Sequence, residues 1–294
     1  MSIREPAVAG MFYEASQSWL IRELESAFQN PSGPGSIPKA MRNGPGIIAG
    51  LVSPHAGFIY SGSTAACAYS RLAQDGIPDT VVIIGPNHRQ YFPSVALTGD
   101  SEWHTPLGNV AIDTDATRYI ADHFPTSEIS SPAHRMEHSI EVQLPFLQYI
   151  ANTIGADFKV VPTLIGSIAS KSVDDDTKMA RELGNVIAEA VSGKKAVVIA
   201  STDFTHYKSA DIARTHDIKA IEKILNLDEK GLLTVVESLK ISMCGAFPTA
   251  IMIAAARNMG AVKAQSICYS TSGDVTGDFA EVVGYAAIEL DRPA

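Results

Sequence analysis

The feature that most constrains this chain is a short apolar run that ends on proline and then histidine, and it occurs twice. Ile47-Ile-Ala-Gly-Leu-Val52 carries no polar alternation, the pattern of a strand covered on both faces in a parallel sheet. Pro54 cannot donate a ladder hydrogen bond, and Gly57 and Gly62 allow torsions and close approaches that other residues resist, so the chain leaves the sheet at Ser53 and turns. His55 is thereby predicted just past the carboxyl end of a buried strand, where open α/β sheets place their ligand sites. Thr80-Val-Val-Ile-Ile-Gly85 repeats the pattern and runs into Pro86-Asn87-His88. A third buried run, Ala196-Val-Val-Ile-Ala-Ser201, leads into Thr202-Asp203-Phe204-Thr205-His206. One strand-end histidine reads most simply as a loop or capping residue. Three of them at three strand ends can converge on one rim.

Between these strands the apolar spacing changes to the helical period. Ser16 suits an N-cap for a helix to about Phe28, with Leu20, Leu24, Ala27 and Phe28 on one stripe. Asn30 to Gly46 is rich in proline and glycine and reads as a loop. Helices are expected over 63–72, 114–123, 176–191, 210–225, 228–239 and 248–259, and strands over 158–165, 264–271 and 281–290. Val95–Thr98 and Val110–Ile112 read as paired strands, joined by a connection that carries His104. Strand, helix, strand implies right-handed parallel crossovers. The expected fold class is α/β: three layers, α/β/α, around a mainly parallel central sheet with antiparallel additions at its edges. Residues 1–294 form one domain in this reading, with 1–46 an N-terminal extension and loop packed on it.

With 294 residues, 46% of them hydrophobic and 19% charged, the chain has the composition of a globular protein with a substantial core. A net charge of −9 and the lack of any Lys/Arg cluster argue against nucleic acid and anionic membranes as partners. The start of the chain has no apolar signal-peptide core, and Ala246–Ala256 is too short to span a bilayer. A cytoplasmic location is expected. Cys67, Cys244 and Cys268 share no CxxC spacing and are odd in number, so a disulfide framework or zinc knuckle is not expected and at least one thiol is free.

The ionisable residues suggest a metal. Neutral imidazoles at 55 and 88 suit zinc, iron, copper or nickel, and a thiolate at Cys244, just ahead of an apolar helix, should have a lowered pKa and bind metal readily. Cys244 could equally be a small buried apolar residue. Pro132–Gln143 is the densest ionisable stretch, with His134, Glu137, His138 and Glu141. If a helix starts there, His138 and Glu141 face the same way. His206 admits three roles: a third nitrogen ligand, an acid/base group beside the ion, or a loop histidine held by Asp203. No G-x-S-x-G, G-x-x-x-x-G-K-[ST] or G-x-G-x-x-G sequence is present, which argues against a nucleotide cofactor and serine-hydrolase chemistry.

At these residues the chain resembles the Memo family, the AmmeMemoRadiSam system B proteins, similar in fold to the class III extradiol ring-cleaving dioxygenases. The motifs are Ser53-Pro-His-Ala-Gly57, Ile84-Gly-Pro-Asn-His88, Glu137-His-Ser-Ile-Glu-Val-Gln-Leu-Pro145, Ser201-Thr-Asp-Phe-Thr-His206 and Cys244-Gly-Ala-Phe-Pro248. They run in family order and span nearly the whole chain. The resemblance implies that His55, His88 and Cys244 form a metal site, with His206 in the place of the dioxygenases' acid/base histidine. Asn87, His138, Glu141 and Asp203 would line the pocket. Ring-cleaving dioxygenases have a carboxylate where this chain has Cys244, and a thiolate shifts preference toward copper, zinc or thiolate-ligated iron. The expected function is a metal-dependent redox or dioxygenase-like enzyme holding Fe(II) or Cu, with Zn as a further option. Alternatives are a non-catalytic metal- or peptide-binding protein and a zinc-dependent hydrolase. The resemblance implies a small molecule or peptide in the pocket and a radical SAM protein as a partner.

Overall fold

In the computed structural model, which describes residues 2–89, 94–166 and 172–293, the apolar runs become the centre of one mixed sheet. Its strands are β1 (Ile3–Arg4), β2 (Ile48–Ser53), β3 (Thr80–Pro86), β4 (Val95–Leu97), β5 (Glu102–Thr105), β6 (Gly108–Ile112), β7 (Ser127–Ile129), β8 (Lys159–Ile165), β9 (Ala196–Ser201), β10 (His206–Lys208), β11 (Lys263–Thr271) and β12 (Val282–Asp291). The helices are α1 (Gln17–Gln29), α2 (Phe58–Asp75), α3 (Thr114–His123), α4 (Ser131–His134), α5 (Leu144–Asn152), α6 (Val173–Ala190), α7 (Ala210–Leu225), α8 (Glu229–Leu239), α9 (Ala246–Asn258) and α10 (Gly273–Thr276). A single 3-10 turn, Glu141–Gln143, precedes α5.

The core of the sheet is the parallel run β6–β8–β3–β9–β2, and β12 continues it antiparallel to β2. Consecutive residues of β3 point to opposite faces: Val81 and Ile83 enter one apolar core, Val82 and Ile84 the other. Each fully buried Val or Ile of this kind contributes about 1.5–3 kcal/mol. Helices α1, α2 and α5 cover the first face, while α3, α6, α8 and α9 cover the second. The result is the three-layer α/β architecture expected.

Strands β3, β9 and β2 are neighbours, so the three loops that follow them leave the sheet side by side at its carboxyl edge. This adjacency is what brings residues 55, 88 and 203–206 together.

Three local expectations are revised. Strands β4 and β6 do not pair with each other: β4 pairs with β7 and β8, and β6 with β5 and β8. No helix starts at His138: α4 ends at His134 and the next turn opens only at Glu141, while between them the Glu137 carboxylate accepts the N–H groups of His138 and Ser139 at 2.8 and 2.9 Å and so offers the backbone a partner outside the helical ladder. Cys67 on α2 and Cys268 on β11 form a disulfide across 201 residues, with Cα atoms 6.4 Å apart, which leaves Cys244 as the free cysteine. Among the described residues no helix is long and apolar enough to cross a membrane.

Candidate metal centre

His55 lies two residues past β2 and is almost fully buried, at 2% exposure. Its protonation pattern follows from counting hydrogens. Gln143 Nε2 donates to the Pro54 carbonyl at 2.9 Å and its Oε1 accepts from the Tyr69 hydroxyl, which fixes the amide orientation. The same Nε2 donates to Ser201 Oγ at 2.8 Å, and Ser201 Oγ gives its own proton to the Ser139 carbonyl at 2.5 Å. Ser201 therefore accepts from His55, and the proton sits on Nδ1, 3.0 Å away. His55 Nε2 is left with its lone pair, 3.2 Å from Cys244 Sγ.

His88 is fixed by a carboxylate. Glu137 accepts the His88 backbone N–H at 2.6 Å through one oxygen and the Nδ1–H at 3.0 Å through the other. Nε2 of His88 is again the free nitrogen. The oxygen that holds His88 also lies 3.2 Å from His138 Nδ1, so a single carboxylate serves two imidazoles. Burial alone would raise the Glu137 pKa, but the His88 hydrogen bond and charge and the Ser139 N–H bring it down to about 2. Gly85 makes this packing possible: a methyl group there would come within 2.5 Å of Ser139 Oγ.

Cys244 stands just ahead of Gly245, the N-cap of α9. Its sulfur accepts the Asp203 N–H at 3.3 Å and is half-buried. The ligating atoms of His55, His88 and Cys244 all lie within 4.8 Å of one another. The thiol pKa is not lowered, as its place before a helix had suggested. Burial pushes it up, and the Asp203 charge adds to that.

Asp203 Oδ1 accepts the His55 backbone N–H at 2.8 Å, and burial raises this carboxyl to about 6. Burial, reinforced by the neighbouring imidazoles His88 and His138, holds His55 well below its ordinary range. Burial likewise lowers His138 to about 4. The rings of His55, His88 and His138 pack together, with centroids 4.8 to 5.5 Å apart.

His206 is held by the Phe204 and Ser242 carbonyls, 2.7 and 2.8 Å from Nδ1, rather than by Asp203. Carbonyl oxygens only accept, so Nδ1 carries hydrogen and Nε2 is the free position. The next residue, Tyr207, has φ 57°, in the left-handed region, at a bulge between His206 and Lys208 in the β10–β12 pairing. That torsion costs about 1–2 kcal/mol for a residue with a side chain.

Asn87 uses its side-chain oxygen to accept the Arg89 N–H at 2.9 Å, shaping the turn that presents His88. Glu141 is the pocket candidate that the structure turns elsewhere. Its carboxylate is fully buried against Arg4, Tyr13 and the N–H groups of Ala7 and Val8. The carboxylate beside the imidazoles is Glu137, which the sequence marked only as part of an ionisable cluster. Its position immediately before His138 was the available signal.

The donor set suits a soft or borderline metal. Two imidazoles with fixed Nδ1–H tautomers and one sulfur are the ligands that zinc, copper and iron accept, and three donors leave positions open. Fold and site together define a three-layer α/β protein with a candidate two-histidine, one-cysteine metal centre at the carboxyl edge of its sheet.

Residues 4–289 match the family profile described as Memo-like protein, and the chain belongs to that family. It is 44% identical over 291 residues to a MEMO1 family protein of Methanopyrus kandleri, covering 98% of this chain and 99% of that one. A MEMO1 family protein of Ignicoccus hospitalis is 43% identical over 295 residues, with both chains covered in full. The crystal structure of an uncharacterized Escherichia coli K12 protein shares the fold, with a TM-score of 0.55 at 12% identity, over 83% of this chain and 99% of that one.

Proposed function

We propose that this protein binds one metal ion, Fe(II) or Cu, through His55 Nε2, His88 Nε2 and Cys244 Sγ, and uses it in redox chemistry of the dioxygenase-like kind. The observation that carries the reading is the pair of pinned tautomers. Ser201 and Glu137 hold the two Nδ1–H groups, so both lone pairs fall to Nε2, and the two rings and the sulfur offer ligating atoms within 4.8 Å of one another. A core histidine with only a structural task needs no such arrangement.

When bound, such an ion supplies one-electron chemistry and open positions for oxygen and substrate. The chain's own residues do the rest. Ser201 and Glu137 orient the ligand rings, and Asp203 fixes the His55 backbone. Asp203 also donates its N–H to the sulfur. The His55 side of the centre is shut off from water, whereas His88 is one-third exposed and faces the open side. His206, with Nδ1–H fixed and Nε2 free, is the residue that accepts or returns a proton at the substrate.

The test is anaerobic loading with Fe(II) or Cu(I), followed by oxygen uptake with a panel of small phenols. One equivalent of metal should bind with a thiolate-to-metal absorption band, and Cys244→Ala should lose both. His206→Ala should keep the metal and lose oxygen uptake. Metal binding without oxygen uptake under any loading would leave a metal-holding protein and reject the enzymatic part. No binding of either metal would reject the whole reading.

A further inference from the structure

The N-terminal segment touches the loop that carries His55 and the turn whose Glu137 carboxylate holds His88. Arg4 is buried and its guanidinium engages one stretch of chain. Nε donates to the His134 carbonyl at 2.8 Å, Nη2 donates to the Glu137 carbonyl at 2.7 Å, and Nη1 pairs with Glu141 at 2.8 Å. The Trp103 ring lies 4.3 Å from the guanidinium carbon. Glu141 in turn accepts the Ala7 and Val8 N–H groups at 2.8 and 3.0 Å and the Tyr13 hydroxyl at 2.6 Å. At the far end of the segment, the Phe12 carbonyl accepts from Phe58 N–H at 2.7 Å, three residues past His55. The Phe12 ring lies 4.6 Å from the His138 ring. Residues 4–13 therefore join the turn bearing Glu137 and His138 to the loop bearing His55.

A buried ion pair is a poor way to gain stability, since apolar replacements of the same volume often do as well; its best-attested use is to fix one arrangement among several. Here the arrangement fixed is the backbone of Glu137, whose carboxylate sets the His88 tautomer. We propose that Arg4, with Glu141 and Tyr13, is a positioning unit of the candidate metal centre: it anchors the Glu137 backbone so that the carboxylate holds His88 Nδ1–H and leaves Nε2 for the ion. This rests on the metal-binding reading above. Arg4 touches neither metal nor substrate. Its effect passes through Glu137.

The test compares Arg4→Lys and Tyr13→Phe with Glu229→Gln. Glu229 bridges Arg181 and Arg257 on the helical layer that covers the other face of the sheet from Val8 and Tyr13, so it controls for lost stability alone. Two readouts are taken: the ring-nitrogen tautomer of His88 in metal-free protein, by long-range proton–nitrogen NMR, and the affinity for Co(II) by titration. Wild type should show the Nδ1–H form. Arg4→Lys and Tyr13→Phe should show mixed tautomers and bind Co(II) roughly 10–100-fold more weakly, the usual cost of losing a group that orients a metal ligand. Glu229→Gln should keep the wild-type tautomer and affinity even where its melting temperature falls. Should Arg4→Lys fail to fold, Tyr13→Phe decides, because it removes one hydroxyl and keeps the ring. Unchanged tautomer and affinity in Tyr13→Phe and in folded Arg4→Lys would overturn the proposal. An Arg4-dependent tautomer in a wild-type protein that binds none of Co(II), Fe(II) and Cu(I) would instead uphold the positioning role and reject the metal reading.

Discussion

Gly245→Ala tests whether the sulfur of Cys244 is held where a ligand must be. Gly245 has φ −103°, a torsion alanine adopts freely, so any penalty comes from space. A methyl group at this position would stand 2.6 Å from the Ser201 carbonyl oxygen and 2.6 Å from Thr202 Oγ1, with Thr202 Cβ nearer still; ordinary contact begins at 3.4 Å. The backbone must therefore retreat by at least 3.4 − 2.6 = 0.8 Å, and Cys244 is carried with it. Crowding of this kind costs about 1–3 kcal/mol in stability. A shift of 0.8 Å is also a third of a metal–sulfur bond of about 2.3 Å, so Co(II) affinity should fall roughly 10–100-fold and the thiolate absorption band should weaken. Gly184→Ala supplies the control. A methyl group there would meet Ala254 Cβ at 2.7 Å and Ala255 N at 2.8 Å, stressing α6 against α9 about 15 Å along the helix from Cys244. It should lower stability by a similar amount and leave Co(II) affinity intact. If the two variants bind Co(II) equally well, the close approach of Gly245 to Thr202 does not position the sulfur and the argument from the glycine is wrong.

Two further outcomes follow from groups away from the candidate centre. Burial, with the Arg4 charge behind it, holds the His134 ring at about 3, below its ordinary 6.5, so the neutral ring contributes stability that is complete above pH 6.5 and lost as pH falls toward 3. Between pH 7 and pH 4 the loss is about 3 kcal/mol. Urea unfolding of His134→Gln should show a pH dependence shallower by that amount, and an unchanged dependence would count against it. The Cys67–Cys268 bond closes a 201-residue loop, worth up to about 5 kcal/mol by chain entropy. The double variant Cys67→Ala/Cys268→Ala should be about 2–5 kcal/mol less stable. Denatured, unreduced wild type should titrate one thiol, belonging to Cys244; three would refute the pairing.

The parts of the site that could be read from the chain are those set by local pattern. An unbroken apolar run followed by proline or a polar turn marks a strand end, and that was enough to put residues 55, 88 and 206 on one rim. The parts that escaped depend on contacts distant in sequence. Helical spacing would turn Glu141 the same way as His138, but Glu137 takes up the backbone N–H groups between them, and the two side chains part. The hold of Glu137 on His88 spans 49 residues, and no periodicity reports it. The Cys244 thiol was expected to be acidified by the helix it precedes; desolvation, which only the packed structure reveals, acts in the opposite sense. Strands β4 and β6 were paired with each other because they are close in the chain, yet both seek β8, which arrives some fifty residues later.

Strand β12 runs against its neighbour β2, with Ile288 beside Val52 and Asp291 beside Ile48. Its ten residues begin next to His206 and finish at the opposite rim, where Arg292 grips the carbonyls of Gly46 and Ile48, a span of roughly 30 Å. An affinity tag or reporter domain appended after residue 293 would thus hang clear of the pocket mouth.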